Sequence, residues 1–183
     1  YNAALTFNKR DCLSVLREWK IPTAKYFTID KDDDIDVDLI IKKVGLPCFV
    51  KANRSGSSFG IFKVYDKLNL IPSIKEAFKY DTQLIIESNL NGLEVSVGTA
   101  RYENEIQVFP ITEIIPNNDF FDYAAKYEGQ SEEITPARIE KSLENELVVL
   151  SKKIYSKLGL KGFVRTEFIT VSYTHLTLPT RLM

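Results

Sequence analysis

The sequence predicts an α+β fold in which antiparallel strands are flanked by helices. Residues 93–100 and 105–109 alternate apolar and polar positions on either side of a polar turn, which is typical of a β-hairpin. Residues 138–158 repeat apolar positions at helical spacing and are followed by Gly159, which predicts a long amphipathic helix. The apolar run at residues 83–88, QLIIES, predicts a buried strand.

The other elements follow from the same patterns. In residues 7–20 the apolar side chains recur near helical spacing, and Ile21-Pro22 ends that helix. We further predict, in chain order, a strand at 25–29, a helix at 39–44, strands at 49–50 and 60–64, a helix at 68–79 and a final strand at 162–169. Residues 116–138 are polar, aromatic and irregular, and loops of that length are often functional lids.

Composition limits the classes of function. Lys and Arg together number 24 against 25 Asp and Glu, for a net charge of −1, so the charge gives no basis for nucleic acid or an anionic membrane as a partner. No segment approaches the apolar length of a membrane span. The two cysteines, Cys12 and Cys48, are too few for a disulfide framework, and we expect them to be core residues of a cytoplasmic protein.

Residues 51–60, KANRSGSSFG, directly follow the apolar run at residues 46–50. A lysine at the end of a strand, followed by small flexible residues, has two interpretations. One is a plain surface turn. The other is a loop whose backbone N–H groups and hydroxyls close over an anion, with Lys51 aimed at the same charge.

Two further sets of charged residues also allow two interpretations each. Glu87 ends a buried strand and Glu94 follows shortly after, so they either bind a nucleotide or flank a surface turn at residues 91–92. Arg165 and Glu167 lie two residues apart on a strand and therefore share one face. This pair either forms a simple salt bridge or combines a metal-binding carboxylate with a cation that stabilises an oxyanion.

The irregular segment contains a third candidate, FFDYAAKY at residues 120–127. A lysine flanked by aromatic residues can be delivered to a phosphate when a lid closes and excludes water. The alternative is an aromatic patch that packs the loop against the protein.

The order of these motifs resembles the ATP-grasp ligases, and within them the D-alanine–D-alanine ligase family. The resemblance is carried by LPCFVKANRSGSSFG, ESNLNGLEVSVG, FFDYAAKYEGQSEEITPA and GFVRTEF, and it covers roughly residues 5–169. It implies an ATP-grasp fold, with a central subdomain at about 1–95 and the start of a carboxy-terminal subdomain at about 96–170.

The resemblance also implies the ligands and the roles of the residues. The implied ATP site comprises Lys9, Lys51, Ser58, Glu87, Leu90, Glu94, Phe120 and Lys126. Its lysines would contact phosphates, Glu87 and the Leu90 backbone would bind adenine, and Glu94 would bind ribose. The implied catalytic residues are Ser57, Tyr127 and Arg165, and Glu167 is the implied first ligand of two Mg²⁺ ions. The reaction would activate one D-alanine as an acyl phosphate for attack by a second, and the full-length protein would be a homodimer.

The sequence departs from the family pattern at both ends. Family members place another domain before the residues seen here, whereas this chain begins at Tyr1 and its only methionine is Met183, so we expect a fragment. After Glu167 the sequence FITVSYTHLTLPTRLM contains no Asp, Glu or Asn for the remaining metal ligands, and we expect residues 171–183 to be unlike the family. We therefore expect this chain to be inactive in ligation and its final strand to lack a neighbour on one side.

Two alternatives to this function stay open on the sequence. One is another ATP-grasp carboxylate–amine ligase, including one whose acceptor is D-lactate or D-serine. The other is a nucleotide-binding fragment without catalysis.

Overall fold

The computed structural model describes residues 2–116, 131–172 and 175–177. The helices are α1 (Asn2–Phe7), α2 (Lys9–Glu18), α3 (Val37–Val44), α4 (Leu70–Ala77) and α5 (Lys141–Lys157). The strands are β1 (Tyr26–Asp30), β2 (Cys48–Ala52), β3 (Ile61–Val64), β4 (Gln83–Ser88), β5 (Leu93–Tyr102), β6 (Glu105–Val108), β7 (Thr112–Pro116), β8 (Ser131–Ile134), β9 (Val164–Ser172) and β10 (His175–Thr177). None of the described helices combines the length and apolar character that crossing a membrane requires.

The first sheet has the strand order β1-β4-β2-β3, and every neighbouring pair is antiparallel. Strand β2 alternates between a core face and an opposite face, because successive side chains of a strand point to opposite sides. Its core-facing residues, Cys48, Val50 and Ala52, pack with buried residues of α3 and α4. The opposite face carries Phe49 and Lys51.

The second sheet has the order β10-β9-β5-β7-β8, with β6 paired to β5, and it is also antiparallel. Val95 and Val97 of β5 and Phe168 of β9 pack against Leu147 and other apolar residues of α5. Burial of apolar side chains against α5 orients this sheet, so the polar residues at the alternate positions lie on its other face.

Helix α2 contacts both the first and the second sheet. Its apolar side chains Cys12 and Leu16 lie in the core of the second sheet, while the side chain of Arg10 binds Asp30 of the first sheet. The second sheet begins at Leu93, and the predicted division near residue 95 stays a prediction.

Both cysteines are buried core residues, as predicted. Burial raises the pKa of Cys12 to about 12, with a smaller contribution from neighbouring Asp11, and burial raises the pKa of Cys48 to about 11. Thiols with such pKa values stay protonated at neutral pH, which makes them poor nucleophiles.

Two expectations about the second sheet were wrong. The irregular segment predicted at 116–138 includes strand β8, which pairs with β7 from Glu113↔Ile134 to Pro116↔Ser131. The final strand β9 has neighbours on both sides, because β10 pairs with it opposite β5. Both β8 and β10 are short strands that are specified by pairing with a neighbouring strand, and their own sequence patterns do not contain that pairing.

Candidate active site

The KANRSGSSFG segment connects β2 to β3, with Lys51 inside β2 and Gly60 at the return into β3. Gly60 has a positive φ of 68°, and a Cβ there would lie 3.0 Å from the Cβ atoms of Ala52 and Tyr80. Only glycine combines that backbone conformation with so close an approach. Ser57 and Ser58 also have positive φ values, 48° and 62°. Such backbone is uncommon for non-glycine residues.

Lys9 lies against the start of this loop. Its ammonium group donates hydrogen bonds to the backbone oxygens of Ala52 at 2.9 Å, Asn53 at 3.1 Å and Ser55 at 2.7 Å. The family resemblance implies that Lys9 contacts phosphate. These contacts give it a structural role in the loop, and the phosphate contact stays a prediction.

Arg54 fixes the same loop to the turn before β4. Its backbone amide donates to Asp81 at 2.7 Å, and its guanidinium donates to both Asp81 carboxylate oxygens. Burial raises the pKa of Asp81, but hydrogen bonds from Arg54 and from the Gln83 amide outweigh it and lower the pKa to about 2. The carboxylate is therefore ionised at any physiological pH.

Lys51 and Glu87 form an ion pair on the face of the first sheet that lies opposite α3 and α4. The β2–β4 register places Phe49 opposite Glu87 and Ile85 opposite Lys51, so Lys51 and Glu87 are diagonal neighbours on one face. Their side chains are 13% and 2% exposed. The predicted phosphate-binding cation and the predicted adenine-binding carboxylate are therefore direct neighbours.

A short connector joins this face to the second sheet. It contains Leu90, and it ends at Gly92 directly before β5, where Glu94 lies half-buried. A Cβ on Gly92 would lie 2.1 Å from the backbone oxygen of Thr170, so only glycine lets the connector pack on β9. Glu87 and Glu94 thus lie on consecutive strands that belong to different sheets.

Arg165 and Glu167 share one face of β9, as period-two spacing predicts. The guanidinium donates to the Glu167 carboxylate at 3.2 Å, and the Glu167 side chain is 1% exposed. Ser96 of β5 lies opposite Glu167, and Glu94 lies two residues before Ser96 on the same face. The second sheet therefore presents carboxylates, a hydroxyl and a guanidinium together.

The described residues contain only part of a metal site. Across residues 2–116, 131–172 and 175–177, no group of three His, Cys, Asp or Glu side chains is arranged to hold a metal ion. Glu167 is the single predicted ligand among them. Phe120, Lys126 and Tyr127, predicted for the ATP and catalytic sites, lie outside the described residues.

Sequence reasoning missed the residues that fix the loop, namely Asn53, Asp81, Gln83 and the Arg10–Asp30 pair. It also missed Glu113, a buried carboxylate of β7 that accepts hydrogen bonds from the backbone and the guanidinium of Arg138. The hydrogen bonds from Arg138 lower the pKa of Glu113. The available signal for these residues was Asn53, a polar residue directly after a buried strand. A buried carboxamide requires hydrogen-bond partners, so its position indicated that such partners exist.

The chain folds into two antiparallel sheets, each covered by helices on one face. One sheet carries a lysine and a glycine/serine loop, and the other carries an R-x-E strand. This combination defines the ATP-grasp class, and solved structures confirm the predicted α+β ATP-grasp fold. One is the VanG D-Ala:D-Ser ligase from Enterococcus faecalis, with a TM-score of 0.81 and 29% identity over 99% of this chain and 53% of that one. Another is a D-alanine–D-alanine ligase from Bacillus anthracis, with a TM-score of 0.83 and 25% identity over 99% of this chain and 57% of that one.

The chain belongs to the family described as D-ala D-ala ligase C-terminus, whose model matches residues 15–178. It is 56% identical over 171 residues to a D-alanine–D-alanine ligase of Flavobacterium johnsoniae, which covers 93% of this chain and 53% of that protein. It is 52% identical over 169 residues to one of Christiangramia forsetii, covering 92% and 52%. The chain thus spans about half the length of the curated relatives it matches.

Proposed function

We propose that this chain is the ATP-binding and catalytic part of a ligase that joins two D-alanine molecules at the expense of ATP. The observation that carries the proposal is the Lys51–Glu87 pair at the start of the KANRSGSSFG segment, together with the Arg165–Glu167 pair on β9 of the second sheet. The family match and the names of the relatives supply the substrate class.

The nucleotide is assigned to the face of the first sheet that carries Lys51 and Glu87. The adenine amino group would donate to Glu87, the Leu90 backbone would bind the ring edge and Glu94 the ribose hydroxyls. When phosphate approaches Lys51, the ammonium can turn from Glu87 towards it, because lysine is a flexible point charge. Ser58, Phe120 and Lys126 complete the proposed ATP site.

The chemistry is assigned to the second sheet. One D-alanine carboxylate attacks the γ-phosphorus, the bond to ADP breaks, and an acyl phosphate forms. The amine of a second D-alanine then attacks the acyl carbon, loses a proton, and expels inorganic phosphate to leave a peptide bond. Arg165 would stabilise the oxyanion of the tetrahedral intermediate, because a fixed cation acts most strongly where charge develops. Ser57 and Tyr127 would lie on the substrate side.

Magnesium enters the proposal through Glu167 only. A buried carboxylate is a ligand that Mg²⁺ accepts, and the ion would neutralise phosphate charge. A single carboxylate does not account for two ions. The proposal also includes a cytoplasmic location, which the two free buried cysteines support. A homodimer stays a prediction for the full-length protein.

The test uses a chimera in which this chain replaces the matching part of the Flavobacterium johnsoniae relative. Purified chimera is incubated with Mg-ATP and D-alanine, and dipeptide is identified by mass spectrometry alongside phosphate release. We expect D-alanyl-D-alanine with a chimera that uses residues 1–170 and continues in the relative's own sequence. With residues 171–183 retained, we expect turnover at least about a hundredfold lower, because Glu167 then lacks companion carboxylates.

Other outcomes assign another function. The structural likeness to a D-Ala:D-Ser ligase favours D-serine as the second acceptor to test, and preferential D-alanyl-D-serine formation would replace D-alanine in that role. Mg-ATP binding without any phosphate release in either chimera would support a non-catalytic nucleotide-binding part instead.

A further inference from the structure

Asn53 is the first residue after β2, and its whole polar surface is used. The residue is fully buried, at 0% exposure. Its side-chain oxygen accepts from the Arg10 amide at 2.9 Å, and its side-chain nitrogen donates to Asn8 at 2.9 Å and Gln83 at 3.1 Å. Its backbone amide donates to the Gln83 oxygen at 2.9 Å.

The partners of Asn53 form a closed ring. Asn53 donates to the Gln83 side chain, Gln83 donates to Asp30 at 2.9 Å, and Arg10 donates to Asp30 at 3.0 Å. The backbone amide of Arg10 then donates back to Asn53. Hydrogen bonds from Arg10 and Gln83 lower the pKa of Asp30, so its carboxylate stays ionised as an acceptor. Closed networks with every member satisfied hold one geometry, because moving any member breaks several bonds.

The ring joins the loop to the amino terminus of α2. The first amides of a helix lack partners within the helix. Here the Lys9 amide donates to the Asn53 backbone oxygen at 3.3 Å, and the Arg10 amide donates to the Asn53 side chain. Because these amides have fixed positions, they set where Asn53 lies.

We propose that Asn53 is a positioning residue, which fixes the root of the loop at residues 54–59 and thereby places the loop over the phosphates of a bound nucleotide. Lys51 lies two residues before Asn53 and Ser57 four residues after it, so both depend on where Asn53 is held. The nucleotide part of this inference rests on the proposed function, whereas the anchoring part does not.

The decisive variant is Asn53→Ala in this full chain, compared with the unaltered chain and with Ile74→Val. Ile74 is buried in the core between the first sheet and its helices. Its truncation to valine costs stability and removes no hydrogen bond of the ring around Asn53. Hydrogen exchange of amides 54–59 should become about tenfold faster in Asn53→Ala, because the root of the loop loses the side-chain hydrogen bonds that hold it and the loop opens more often. Ile74→Val should leave the exchange of these amides unchanged relative to the amides of β4.

Nucleotide binding then separates positioning from general damage. By calorimetry, Asn53→Ala should raise the Kd of Mg-ATP about tenfold and the Kd of AMP less than twofold, because AMP lacks the phosphates that the loop would cover. Asn53→Asp keeps the acceptor for Arg10 and loses both donors, so its Mg-ATP affinity should be intermediate. Ile74→Val should change neither affinity.

Unchanged exchange of amides 54–59 in Asn53→Ala would overturn the anchoring. Equal weakening of AMP and Mg-ATP would overturn the positioning role and assign Asn53 to general stability. If the unaltered chain binds no Mg-ATP while the exchange still accelerates, the anchoring stands and the proposed function fails.

Discussion

The loop on the first sheet and the carboxylate face on the second sheet are built in different ways. Asn53, Lys9 and Asp81 hold the loop through separate hydrogen bonds, all between described residues. On the second sheet, Glu167 accepts a hydrogen bond from the guanidinium of Arg165 on its own strand. The first region distributes its support over several side chains, whereas the metal binding proposed for the second depends on one buried carboxylate.

This difference predicts how each region fails. Loss of one loop anchor leaves the others in place, so affinity should fall by moderate factors. Loss of Glu167 removes the one residue among those described that was predicted to bind a metal. Its effect should appear in turnover and should be much larger.

The largest effect is therefore expected for Glu167→Gln, in the chimera that continues in the relative's own sequence. The amide keeps the shape of the side chain and loses its charge, so it cannot neutralise a divalent cation or the Arg165 guanidinium. Turnover should fall by about a thousandfold or more, while the Kd of Mg-ATP changes by only a few-fold. Initial rates of phosphate release and calorimetry measure the two quantities.

Glu113→Gln is the matched control. Glu113 is also a buried glutamate of the second sheet that accepts from an arginine, but it lies in β7 and pairs with Arg138. It should lose stability and keep turnover within a few-fold. Equal losses of turnover in the two variants would show that burial of a paired carboxylate, and not the position of Glu167, sets the rate.

The second effect concerns the first region. Lys51→Ala should weaken Mg-ATP binding by roughly 10- to 100-fold, because a charge-assisted contact with phosphate is lost. Lys42→Ala should leave the affinity unchanged, since Lys42 is exposed on α3 away from the loop. Calorimetry on both variants decides between them.

A second form of this test removes an ambiguity. Lys51→Ala leaves the buried Glu87 carboxylate without its ammonium partner, which by itself destabilises the fold. The double variant Lys51→Met with Glu87→Gln removes both charges and keeps the volume. If this folded double variant bound Mg-ATP as tightly as the unaltered chain, neither residue would belong to the nucleotide site.

Local patterns were sufficient for most strands and helices and for one contact in the site. The R-x-E spacing predicted that Arg165 and Glu167 share a face, and the structure places them 3.2 Å apart. This prediction succeeded because strand geometry alone determines it. The hairpin of β5 and β6 was predicted for the same reason.

The remaining contacts depend on pairing between distant segments. The Lys51–Glu87 pair follows from the β2–β4 register, and the ring around Asn53 joins residues of α2, β1 and β4. No property of residues 51–60 specifies that register. Strand β8 was missed because its pairing with β7 determines it, and the whole predicted segment at 116–138 was interpreted as irregular.

The smallest effect concerns Asp81, the acidic anchor of the loop, and it depends on pH. The pKa of Asp81 is about 2 in the folded protein and about 3.9 in an unfolded chain. A lowered pKa means that Asp81 stabilises the fold above about pH 4 and that this contribution disappears as the pH falls towards 2. Asp81→Asn should therefore cost on the order of 1 kcal/mol at pH 7, a figure reduced for the half-exposed Arg54 partner, and almost nothing near pH 2.

Urea unfolding at pH 7, 5, 3 and 2.5 measures this convergence. Asp38→Asn is the control, because Asp38 pairs with Lys67 but is 81% exposed, and such pairs contribute little. Its free energy of unfolding should stay within about 0.5 kcal/mol of the unaltered chain at pH 7. Since Asn53 and Lys9 still hold the loop, Asp81→Asn should raise the Kd of Mg-ATP less than threefold, by less than Asn53→Ala does. A larger rise than in Asn53→Ala would make Asp81, and not the ring around Asn53, the main anchor of the loop.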